Sequence, residues 1–181
     1  LAIIIMNVDT KKFYEEAYTS SVTQMEIRKD VQLASKNILW ALTVDNVSAS
    51  QSYLSAADQA ATKVASNVDE LKQSFSDKDA IDSLQTAVNE MEAARTQLME
   101  LAQQGEKAKA LDLFNGAYND AVISVQNKLV IIGDAATQEA TSQYLSARRT
   151  GIGSVILMVI LTVASLLFST KIRRTITKNM L

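Results

Sequence analysis

Gly151 to Thr170 reads GIGSVILMVILTVASLLFST, twenty positions without a charge, twelve of them strongly apolar. On an insertion scale such residues contribute about −0.3 to −0.6 kcal/mol each, which outweighs the scattered Gly, Ser and Thr. Roughly twenty residues is also the length that crosses a hydrocarbon core. The segment is therefore expected to be a transmembrane helix. The plainer alternative is a buried core helix, but a core helix of this length usually keeps a polar face.

The flanks suggest an orientation. Lys171, Arg173, Arg174 and Lys178 follow the span, and only Arg148 and Arg149 precede it. That positive-inside bias puts the C-terminal side in the cytoplasm and the preceding residues outside a cell (inner, cytoplasmic) membrane. At the other end, Leu1-Ala-Ile-Ile-Ile-Met6 is apolar and too short to span. It reads as the last turns of a first membrane helix, with the remnant of a signal peptide as the other reading. The organisation expected is 1–8 as the C-terminal end of a first transmembrane helix and 9–150 as an extracytoplasmic sensor domain. Residues 151–170 form the membrane helix and 171–181 the start of a cytoplasmic linker.

Composition narrows the class. The chain has no Pro, no Cys and no His, and five Gly in 181 residues. Helices can then run long without a built-in kink. Thiolate and imidazole metal sites are excluded, as are Ser-His-Asp and Cys-His catalytic arrangements. No enzyme activity and no cofactor are expected. A net charge of −2, with no dense basic stripe before the C-terminal end, points away from nucleic acid.

Between the apolar ends, three turn signals cut the chain into four helices, about 1–45, 48–75, 77–103 and 106–170. Asp45-Asn46 precedes Ser48 and Gln51, the spacing of a capping box. Ser76-Asp77-Lys78-Asp79 is a second cap signal. Gln104-Gly105-Glu106 offers a glycine stop. Helix 2 carries Leu54, Ala57, Ala61, Val64, Val68, Leu71 and Phe75 in alternating steps of three and four, a coiled-coil stripe. Helix 3 carries Leu84, Ala87, Met91 and Leu98 in the same manner, and helix 4 runs from Leu111 and Tyr118 to Ile132 and Ala136. The stripe of helix 1 (Phe13, Ala17, Ile27, Val31, Ala34, Ile38, Ala41) turns polar at Ser20 and Gln24. Those breaks are read either as ordinary packing or as a weak seam toward a second subunit. Short connections make neighbours antiparallel. The fold expected is all-α, an antiparallel up-down-up-down four-helix bundle whose long outer helices continue into transmembrane helices.

Several stretches resemble the periplasmic sensor of methyl-accepting chemotaxis proteins of the four-helix-bundle class. Met25-Glu-Ile-Arg-Lys-Asp-Val-Gln-Leu-Ala-Ser-Lys-Asn-Ile-Leu39 looks like the first sensor helix, and Gly105-Glu-Lys-Ala-Lys-Ala-Leu-Asp-Leu113 like the turn into the fourth. Lys171-Ile-Arg-Arg-Thr-Ile-Thr-Lys178 looks like the start of a HAMP relay domain. Where that start usually carries Pro, this chain has Asn179, which leaves the backbone freer. The resemblance implies a homodimer that binds a small-molecule ligand, or a ligand-loaded binding protein, outside the bilayer. It also implies cytoplasmic signalling partners that act through regions beyond this chain. The implied mechanism is a small displacement of helix 4 and the membrane helix, with Gly133, Gly151 and Gly153 as its soft points. A histidine-kinase sensor, or a structural membrane-anchored bundle without ligand, fits the same pattern.

Ligand contacts are expected in the distal halves of helices 1 and 4. The candidates there are Lys36, Asn37 and Trp40 on one side and Asn115, Tyr118 and Asn119 on the other, with Arg28 nearer the membrane. Lys36 suits a carboxylate, and Trp40 suits a ring or a cation. The bland readings are a solvated Lys36 and a Trp40 that plugs the bundle end.

Overall fold

The computed structural model describes residues 18–179. The expected membrane-helix end over 1–8, the stripe positions Phe13 and Ala17, and residues 180–181 lie outside them. Among the described residues every element is helical, in the four helical runs expected. These are α1 (Thr19–Thr43), α2 (Val47–Ser74), α3 (Lys78–Gln103) and a fourth run in three parts. That fourth run comprises α4 (Lys107–Leu113), a π-helical turn (Phe114–Tyr118) and α5 (Asn119–Asn179).

The ends of the helices follow from local chemistry. Asn46 caps α2 by accepting a hydrogen bond from the Ala49 amide at 2.9 Å. This moves the cap two residues ahead of the Ser48 expected from the capping-box spacing. Asp77 caps α3 through the Ala80 amide at 3.0 Å. Each side chain satisfies one of the amides that a helix start leaves without an intrahelical partner. α3 stops at Gly105, whose φ of 76° is left-handed. The Glu106 amide returns to the Leu101 carbonyl at 2.9 Å and the Gly105 amide to Ala102 at 3.1 Å. This is the paired closure in which glycine is favoured because it lacks a Cβ.

The described residues fall into two compact units, each taken by itself: 18–140, and 141 onward. In the first, all seven stripe residues of α2 are buried, as are Ile27, Val31, Ala34, Ile38 and Ala41 of α1. Leu84, Met91 and Leu98 of α3 meet Tyr118, Val125, Leu129 and Ile132 in the same core. A second, smaller cluster of Ala41, Leu54 and Met99 lies apart from it. Ser20 bonds Ser74 at 3.3 Å near one end of α1, and near the other end Ser50 bonds the Ala41 carbonyl at 2.8 Å.

The polar breaks of α1 face inward. Ser20 is fully buried and Gln24 nearly so, at 7% exposure. A Cβ added at Gly133 would meet the Gln24 amide nitrogen at 3.1 Å. Of the two readings of these breaks, packing within the chain describes them: Ser20 meets Ser74 of α2 and Gln24 lies against Gly133 of α5.

In the second unit, α5 is long and apolar enough to cross a membrane, and none of its most apolar stretch is buried. Ile152, Val155 to Leu161 and Val163 are all exposed. The hydroxyls of Thr150, Ser154 and Thr162 donate to carbonyls of their own helix, those of Ser146, Thr150 and Met158, at 2.8–3.1 Å.

Candidate functional site

The residues singled out in the sequence fall into different surroundings. Tyr118 is buried at 1% exposure, and its hydroxyl lies 3.1 Å from that of Ser35. Ser35 gives its own hydrogen to the Val31 carbonyl at 2.9 Å, so the hydrogen between the two hydroxyls is the phenol's. Burial pushes the Tyr118 phenol above its ordinary pKa, and the charge of Glu92 adds to that push. Arg28 donates from Nε to Gln126 at 3.1 Å, and the Gln126 amide returns to the Arg28 carbonyl at 3.4 Å. Both contacts join α1 to the fourth run. Trp40 is half exposed and stacks on Tyr53 of α2, centroids 6.1 Å apart at 26°. Lys36, Asn115 and Asn119 are exposed, and Asn37 is buried.

A charged network that was not singled out crosses from α2 to α3. Arg95 donates from Nε to Glu92 at 2.8 Å and from a terminal nitrogen to Asp58. Its side chain is 15% exposed, against 57% for Asp58. Burial lowers the pKa of the guanidinium, but the two carboxylates outweigh it and leave Arg95 above its ordinary value. The second Glu92 oxygen, Oε1, is buried and lacks a hydrogen-bond partner.

The fourth run, expected to be continuous, is interrupted at the Asn115-Gly116 dipeptide. Gly116, at φ −100° and ψ −108°, leaves helical geometry inside the π turn. Such turns carry one extra residue per hydrogen-bonded loop and often occur at functional sites. The expected soft points Gly133, Gly151 and Gly153 all lie within α5.

A partly open recess of about 340 Å³ lies where the α1–α2 and α3–α4 connections meet. Val44, Val47, Leu54 and Ala102 give it apolar walls, and Asp45, Gln51, Gln103 and Lys107 give it polar ones. Lys107 Nζ donates to the Val44 carbonyl at 2.7 Å and stands 3.9 Å from Asp45. Its volume is within the range of small-molecule pockets, roughly 300–1,000 Å³. Lys107 was legible in principle: it is a cation in the first turn of a helix, where the helix dipole disfavours positive charge. No group of acidic residues able to hold a metal occurs among the described residues.

No family model matches the chain, and no curated protein or solved structure does.

Proposed function

We propose that this chain is the ligand-sensing and transmembrane signalling region of a bacterial chemoreceptor. In this reading the four helical runs form an up-down-up-down bundle outside the cytoplasmic membrane. Its α1–α2 and α3–α4 connections lie far from the bilayer. α5 carries the signal inward through Gly151–Thr170 to cytoplasmic partners beyond Leu181. Two copies associate, and a small molecule or a loaded binding protein biases one of two arrangements of the fourth run. Helix shifts of about 1–2 Å are an established switching mode.

The observation that carries the reading is the double role of α5. Within the first unit its Gln126 is tied to Arg28 of α1, and beyond that unit it bears an apolar stretch with no buried residue. A helix built for a soluble core would bury that stretch. A sensor must join a ligand-responsive bundle to a span, and one helix supplies both parts.

The absence of cysteine gives a clean background for the test. Single-cysteine variants are labelled in intact cells with a membrane-impermeant maleimide. Ser124→Cys is expected to react in intact cells, and Thr175→Cys only after permeabilisation. The chain, joined to the cytoplasmic half of a working chemoreceptor, is expected to change kinase output on addition of its ligand. Labelling of both positions from the same side would defeat the topology. A hybrid receptor that assembles yet responds to no extract or metabolite mixture would defeat the signalling role.

A further inference from the structure

We propose that the space between the α1–α2 and α3–α4 connections is a binding site for a short aliphatic carboxylate, held by Lys107. The site stands on its own geometry; only its coupling to output rests on the signalling reading above.

The argument starts from the donors of Lys107. An ammonium has three N–H groups. One is given to the Val44 carbonyl at 2.7 Å. Asp45, at 3.9 Å, is beyond hydrogen-bond reach and fully exposed. Two donors therefore remain beside the space. Lys107 is the only cation among the lining residues. The other polar groups are less available or neutral. Ser50 gives its hydroxyl hydrogen to the Ala41 carbonyl, and Gln51 and Gln103 carry no charge. A ligand group that matches a cation with two unused donors, facing only a fully exposed carboxylate at 3.9 Å, is an anion, and a carboxylate makes the shorter, stronger, charge-assisted bond.

The apolar walls set the rest of the molecule. Leu54 belongs to the small cluster with Ala41 and Met99, so an aliphatic chain entering here extends an existing apolar surface. Val47 is 72% exposed, so its apolar area is available for a ligand to cover. Burial of apolar area contributes about 25 cal/mol per Å². A ligand body of branched hydrocarbon would cover Val47 and the faces of Val44 and Ala102 together. The acidic neighbour fixes the sign of a further effect. Asp45 opposes a simple carboxylate but would favour a zwitterion that carries an ammonium group.

The position has a mechanical consequence. Lys107 begins α4 and Val44 ends α1, so their bond ties the two. A carboxylate seated on the two remaining donors of Lys107 leaves that tie in place and adds a further contact at the start of α4. α4 has seven residues before the π turn in which Gly116 leaves helical geometry. A ligand on Lys107 is therefore expected to hold the start of α4 more firmly to the end of α1, ahead of that break in the chain.

The test is calorimetric titration of the whole chain in lipid nanodiscs with isovalerate, and with the uncharged isovaleramide as control. Isovalerate is expected to bind and the amide to bind at least about tenfold more weakly, the ratio of a lost charged hydrogen bond. Lys107→Met is expected to bring isovalerate down to the amide's level, and Lys107→Arg to retain binding. Asp45→Asn, at a fully exposed position, is expected to tighten isovalerate about twofold to threefold by removing a nearby like charge. Circular dichroism confirms that each variant is folded. Equal binding of acid and amide, no binding of either, or an unchanged Lys107→Met titration overturns the proposal. So does weaker isovalerate binding in Asp45→Asn, because removing a nearby like charge can only favour an anion held by Lys107. Isovalerate that binds as expected but leaves the hybrid receptor silent keeps the site and removes its signalling role. A hybrid receptor that answers other molecules while isovalerate fails to bind does the reverse.

Discussion

The Tyr118 phenol hands its hydrogen to Ser35, across the contact between the π turn and α1, from a position with 1% exposure. Ser35 passes its own hydrogen back to the Val31 carbonyl. The chain of donors thus closes inside α1, and the phenol fixes the π turn against it.

Tyr118→Phe is expected to cost about 1 kcal/mol, the net contribution of a typical hydrogen bond. The cost stays modest because Ser35 remains bonded to Val31. Burial raises the phenol's pKa in the folded state. The folded state then holds its proton where the unfolded chain, with a pKa of about 10, has lost it. Stability from this group is complete below about pH 10 and falls as pH rises toward the folded value. Urea unfolding on either side of about pH 10 is expected to show that loss in the native chain and a smaller one in Tyr118→Phe.

Arg95 and its two carboxylates give a graded pair. Arg95→Ala is expected to cost about 1–3 kcal/mol, because Glu92 keeps a buried oxygen without a partner and loses the one neighbour of its other oxygen. Asp58→Asn should cost under about 1 kcal/mol, because Asp58 faces solvent. Equal losses in chemical denaturation would contradict this placement of the charges.

The left-handed glycine is a separate lever. Nothing lies within 4 Å of a Cβ built at Gly105, so a substitution there meets backbone cost and no collision. Gly105→Ala is expected to lose about 1 kcal/mol and Gly105→Asn less, since Asn tolerates this region better. Thermal unfolding of the pair checks the order.

Gly133 and Gln24 are coupled by contact. In a helix interior Ala is favoured over Gly by about 1 kcal/mol. In Gly133→Ala that gain is opposed by the tight approach to the buried Gln24 amide. In a Gln24→Ala background the gain should appear nearly in full. A double-mutant cycle with a coupling energy near zero would show that Gln24 moves aside freely.

The core was legible from spacing because the apolar positions of α2 repeat without interruption, and with no proline the period could be followed from cap to stop. All seven stripe residues of α2 are buried. The cap of α2 was misplaced because Asp45, Asn46 and Ser48 are all good cap residues, and periodicity does not choose among them. Ser20 and Gln24 leave two readings open in the sequence, ordinary packing or an outer seam, because a polar residue in a stripe fits both; the chain buries them against Ser74 and Gly133. The π turn is marked in the sequence only by Asn115-Gly116, since one extra residue changes the stripe by less than ordinary variation in it. Of the candidate residues, spacing brought Tyr118 and Arg28 to the contacts between α1 and the fourth run. It missed Lys107 and Arg95, whose roles come from tertiary neighbours far away in sequence.

The hydroxyls of Thr150, Ser154 and Thr162 are closed onto carbonyls of their own helix. In hydrocarbon these groups therefore ask nothing of a neighbouring helix. In the proposed span, their hydrogens are already spent within the helix, so association with another helix there would rest on apolar packing.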